Sequence, residues 1–107
     1  MNDLDSILNK AHEIIHEYAS GKWQSVDRLR ELLRELSFCH YAVTKVNIEA
    51  AQDFNKEVYK FKGSNAAAVN FAELTVPELR ITRKLLITYS KQIDSMRSEI
   101  STINKES

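Results

Sequence analysis

Glycine and proline are nearly absent from this 107-residue chain, which has two of the first and one of the second. A β-sandwich, a barrel or any fold of many short strands needs more turn formers than that, so the expected class is all-α. Cysteine is rarer still. Cys39 alone can neither close an intrachain disulfide nor build a thiolate metal site, which fits a reducing compartment. No run of about 18 apolar residues occurs, and the opening Met1-Asn2-Asp3-Leu4-Asp5 is acidic where a signal peptide is basic and then apolar. The expectation is a soluble, cytoplasmic protein with no membrane contact. Net charge is missing too, with 15 Lys+Arg against 15 Asp+Glu. The 43% hydrophobic and 28% charged residues that remain are an ordinary globular mixture, read as a single all-helical domain over 1–107.

What is present is helical periodicity. Leu4, Ile7, Leu8, Ala11, Ile14, Ile15 and Tyr18 recur at helical spacing and Gly21 follows, predicting a first helix over about 4–20. Ser25 is the next cap candidate, a single cap because Arg28 stands where a capping box has Glu or Gln. From there no Gly or Pro interrupts Leu29, Leu32, Leu33, Leu36, Cys39, Val43, Val46, Ala50, Phe54, Val58 and Phe61, so a second helix is predicted over about 26–62. At 1.5 Å per residue it is about 54 Å long, too long for a compact domain of this size, so the molecule should be elongated or assembled. The segment 64–75 fits a short helix or an ordered linker.

Thr75-Val76-Pro77-Glu78 has the spelling of a capping box with proline in the first turn, predicting a third helix over about 76–104. Within it Leu79, Leu86, Ile93 and Ile100 repeat every seven residues, with Thr82, Tyr89, Met96 and Ile103 between them. Such a seam requires a partner helix. The expected architecture is a long, coiled-coil-like hairpin of helix two against helix three, with an additional N-terminal helix, in a homo-oligomer. Leu79, Leu86, Tyr89, Ile93, Met96 and Ile100 would hold the hairpin or the subunit contacts.

Few residues point to catalysis. His12-Glu13-Ile14-Ile15-His16 matches the five-letter spelling of a zinc-hydrolase helix, two ligands and a base. The third ligand and the substrate cleft would have to come from elsewhere, and only His40 and scattered carboxylates are left to supply them. Ile14 and Ile15 belong to the apolar stripe, so two metal-free histidines are the expected reading, and no catalytic residue, metal or cofactor is assigned. Cys39 and His40 are adjacent and point about 100° apart on a helix, which prevents a nucleophile–base pair. Cys39 reads as a small core residue, and His40 and Asn47 as polar residues that set register.

The charge distribution says more than its zero total. Residues 1–53 hold 6 basic against 9 acidic side chains, and residues 54–107 hold 9 against 6. Lys56, Tyr59, Lys60, Phe61 and Lys62 crowd the end of helix two; Arg80, Arg83 and Lys84 fall in the first turns of helix three. If the hairpin closes, both groups lie at its bend. Cations beside aromatic rings suit a single-stranded nucleic acid, whose phosphates meet the former and whose bases stack on the latter. The competing reading is that the lysines complement the helix dipole and Phe61 packs.

This order of features resembles phage recombination mediators of the UvsY type. The string Ile93-Asp94-Ser95-Met96-Arg97-Ser98 is similar to a stretch of the last helix of that family, and Lys56-Glu57-Val58-Tyr59-Lys60-Phe61-Lys62-Gly63 is similar in character to its DNA-binding segment. The resemblance covers about residues 36–104 and does not include the N-terminal helix or a further C-terminal segment. It implies a non-enzymatic assembly that binds single-stranded DNA, helps to displace single-strand binding protein and loads a RecA-like recombinase. Lys56, Tyr59, Lys60 and Lys62 would carry over as strand contacts, whereas Arg80, Arg83 and Lys84 are added from helix geometry alone. The alternative is a helical protein–protein module, an adaptor or inhibitor without nucleic-acid binding, with Trp23 and the outward faces of helix one as its docking surface.

Overall fold

A computed structural model describes residues 3–61 and 63–106. Four helices run in the order α1 (Asp3–Ser20), α2 (Val26–Lys60), α3 (Asn65–Thr75) and α4 (Glu78–Glu106), and no strand occurs among the described residues. The helical hairpin is as expected, and of the two readings left open for 64–75 the short helix forms. The molecule is elongated, 62 × 30 × 19 Å, with a radius of gyration of 17.9 Å where a compact chain of this length has about 13 Å. No described helix is long and apolar enough to cross a membrane.

Local chemistry sets the helix ends. Gly21 stops α1 in the left-handed region, at φ 71°, where its amide reaches the Tyr18 carbonyl at 3.2 Å. Ser25 caps α2 through its Oγ, which accepts the Arg28 amide at 3.1 Å. Ser64 caps α3 in the same way from Ala67 at 3.2 Å. Gly63 leaves room for the Phe61 ring, since a Cβ there would stand 2.6 Å from it; that ring packs on Phe71 with centroids 5.3 Å apart.

The capping box at Thr75 does not form. Thr75 closes α3 instead, its hydroxyl donating to the Phe71 carbonyl at 2.9 Å, and α4 begins beyond Pro77, whose carbonyl accepts the Ile81 amide. The physical reason lies upstream: Ser64 starts a helix in the alanine-rich segment, and that helix takes Thr75 into its last turn. Ala68 and Ala72, four residues apart, are buried and let α3 lie close on α2.

α2 and α4 pack antiparallel along most of their length. Leu86, Tyr89, Ile93, Met96 and Ile100 of α4 belong to one large core, in which Tyr89, Ile93 and Met96 are buried with Leu29, Leu32, Leu36, Cys39 and Val43 of α2 and Ala11 and Ile14 of α1. Leu79 belongs to a second, smaller cluster with Val76 and Ala50. The heptad seam is therefore spent inside the hairpin.

Polar pairs fix the register. Asn47 Nδ2 donates to Thr82 Oγ1 at 2.9 Å between the two apolar clusters, and Thr82, fully buried, donates in turn to the Glu78 carbonyl at 2.7 Å. His40 Nε2 and Ser90 Oγ are 3.2 Å apart about two turns further along. Sliding α4 by one residue would break both pairs, the role expected of His40 and Asn47. Cys39 is a buried core residue as expected, and burial pushes its thiol pKa up, so it is a poor nucleophile.

Candidate nucleic-acid interface

Antiparallel pairing of α2 with α4 carries the end of one and the start of the other to the same end of the molecule, which is the bend. Lys56, Tyr59 and Lys60 are exposed there in the last turns of α2. At 100° per residue Lys56 and Tyr59 stand on the side of the helix opposite Ala50 and Phe54 with Lys60 on its flank, and Tyr59 is 93% exposed. Lys62 lies outside the described residues. Arg80, Arg83 and Lys84 are exposed on α4 and line a groove of about 680 Å³ whose apolar walls include Phe54, Leu74, Ile81 and Ile87. Glu73 of α3 also lines it. The two cationic groups thus share one end of the fold but not one cleft: the groove holds the α4 group, and the α2 group stands on an outer face.

Charge and pairing divide along the same line. Seven basic side chains against three acidic ones occur in residues 54–91. The ion pairs among the described residues all lie at the other end. Arg28 grips Glu17 with two bonds of 2.6 Å and reaches Glu31 at 2.9 Å, and Arg30 meets Asp27 at 3.4 Å. The guanidinium of Arg28 holds the Glu17 carboxyl below its ordinary range, while burial pushes the Tyr18 hydroxyl up. Lys56, Lys60, Arg80, Arg83 and Lys84 enter no such pair.

The other sequence candidates separate cleanly. His12, Glu13 and His16 are exposed on α1 while Ile14 is buried, and among the described residues no three His, Cys, Asp or Glu side chains converge on a point. Trp23 is not an outward anchor. It is half-buried, stacked on Tyr18 at 6.5 Å, with its Nε1 donating to the Tyr18 carbonyl at 3.2 Å, because the α1–α2 turn folds the indole back onto α1. The apolar face of α1 is likewise turned to the core. Sequence reasoning missed the apolar part of the bend: Leu74 is 83% exposed, with Ile81 and Ile87 beside it in the groove wall. Their signal was present, since none of the three falls on the heptad seam.

No family model, curated protein or solved structure matches this chain.

Proposed function

We propose that this protein is a non-enzymatic single-stranded-DNA-binding accessory whose strand-binding surface is the bend of the α2–α4 hairpin. The observation that carries this reading is the excess of cations over residues 54–91, seven basic against three acidic side chains. Lys56 and Lys60 neighbour an exposed Tyr59 on the outer face of α2, Arg80, Arg83 and Lys84 line the groove at the same end, and the ion pairs among the described residues sit at the other end. Phosphates take the cations, and Tyr59 offers a stacking face to a base. Its resemblance to phage recombination mediators extends the proposal: bound at several bends, a strand is bent, a competing single-strand binding protein is weakened on it, and a RecA-like recombinase is loaded.

A second reading has its own observation. The groove is walled by Leu74, Ile81, Ile87 and Phe54 under a basic rim, which suits an apolar segment of a partner protein as well as a strand. Salt separates the two. Fluorescence anisotropy with an oligodeoxythymidine at about 50 and 200 mM salt should show affinity falling roughly 100-fold if five phosphates are neutralised. The pair Lys60→Glu with Arg83→Glu should abolish binding while helicity is unchanged. Absence of binding at the lower salt, or binding that survives both reversals, refutes the strand-binding reading and leaves the protein–protein module.

A further inference from the structure

α3 and α4 each pack on α2, and the groove at the bend opens between them onto the smaller apolar cluster, with Phe54, Val76 and Leu79 as its floor. On α4, Arg80, Lys84 and Ile87 follow at steps of four and three and share one face, with Arg83 and Ile81 to either side. On α3, Asn70, Glu73 and Leu74 share another. The walls above the floor are open, with Leu74 83%, Ile87 58% and Ile81 47% exposed. Charge divides them. The α4 wall carries three cations that form no ion pair, and the α3 wall carries one carboxylate, Glu73, beside the amide of Asn70.

We infer that this groove takes an acidic amphipathic helix of a partner protein, its apolar side chains on the floor and its carboxylates along the α4 wall. The chemistry of the lining selects that occupant. Apart from Phe54 the apolar lining is aliphatic, so it offers few stacking faces to nucleobases and is better covered by aliphatic side chains. Both walls are helices, which present no strand edge to an extended peptide, so side chains must supply the contacts. From Arg80 to Ile87 the α4 wall is about 10 Å long, the span of i, i+4 and i+7 anchors on one helix.

Exposed ion pairs alone bind weakly, so the apolar anchors carry most of the affinity, while the carboxylates choose the partner and its orientation. Because Glu73 stands opposite the three cations, the flank of the segment that faces α3 is uncharged or basic, which fixes its rotation about its own axis. The inference goes beyond the strand-binding reading and stands without it. A strand that also uses Arg80, Arg83 and Lys84 would compete with the segment for them.

The probe is a fluorescent peptide of about 14 residues with Leu at i, i+4, i+7 and i+11, Glu along one flank of that stripe and Gln along the other, titrated with the full chain. It should bind saturably below about 100 μM, and the same peptide with Lys in place of Glu should bind at least about tenfold more weakly. Arg80→Glu with Lys84→Glu, and separately Leu74→Ser with Ile87→Ser, should each weaken it by about tenfold or more while circular dichroism stays unchanged. Lys56→Glu with Lys60→Glu, on the outer face of α2, should leave the peptide unaffected even where it weakens an oligodeoxythymidine, so failure of this inference is told apart from failure of the strand-binding reading. No binding of the Glu peptide, equal binding of the Lys peptide, or a loss with the Lys56 and Lys60 reversals equal to that with Arg80 and Lys84 overturns it. So does a Leu74 and Ile87 serine variant that loses the oligodeoxythymidine and keeps the peptide, since that result would seat the strand in the groove.

Discussion

At the end where α1 lies over α2 and α4, ten buried side chains from three helices form one core; at the bend, Ala50, Val76 and Leu79 are the buried members of a cluster with Ala51 and Phe54 at its edge. The first end also holds the polar ties between helices: Glu17 bound by Arg28 joins α1 to α2, and Tyr18 OH meets Ser95 Oγ of α4 at 2.7 Å. The bend leaves Leu74, Ile81 and Ile87 at the surface beside cations that form no ion pair, with Glu73 in the same groove. Burial stabilises roughly in proportion to the apolar area removed from water. The difference therefore assigns most of the folding free energy to one end and leaves the other less well buried.

That contrast can be broken from either side, and the largest effect is expected at the large core. Ile93→Asp places a carboxylate among Leu36, Val43 and Met96, at a cost of several kcal/mol, and should unfold the chain or lower its melting temperature beyond the reach of compensation. An unchanged melt would mean that α4 turns a different face to the hairpin. A paired truncation sharpens the comparison. Leu36→Ala should cost about 3 kcal/mol in urea denaturation, and Leu79→Ala about 1 to 2 kcal/mol, because Leu79 borders an open groove that water can enter. Equal costs would erase the asymmetry between the two ends.

Smaller effects probe the junction and the surface. Asn47→Ala removes the donor to buried Thr82 between the two clusters and should cost about 1 kcal/mol, with coupling to Thr82→Val in a double-mutant cycle. The smallest effect is electrostatic. Because Arg28 lowers the Glu17 pKa, the pair adds stability above the ordinary carboxyl value of 4.5 and loses it as pH falls through the depressed folded value. Glu17→Gln should melt slightly below wild type at neutral pH, and the gap should close on acidification below that range. A gap that widens in acid would reverse the sign of the linkage.

The hairpin was legible because the Leu79–Ile100 heptads and the uninterrupted α2 stripe are strong periodic signals, and both cores follow them. His40 and Asn47 were legible for the same reason, as polar positions breaking an apolar series. The region around Thr75 was not. Two valid local rules competed there, a capping box for α4 and a serine-capped alanine run for α3, and their ranking depends on Ala68 and Ala72 packing against α2, a contact remote in sequence. Trp23 was misjudged for a related reason, since the turn that returns it to Tyr18 is set by the left-handed Gly21. The cationic residues were readable one by one, but their division between a groove and an outer face depends on how α3 and α4 leave the bend.

The most direct measurement of the division between a stabilising end and a binding end is amide hydrogen exchange on the full chain, with and without a single-stranded oligodeoxythymidine at low salt. In the free protein, amides of residues 54–60 and 65–84 should exchange faster than those of 29–43 and 89–100, and the strand should slow exchange at the bend alone. Protection spread along α1 and the large core, with the bend unaffected, would contradict the account.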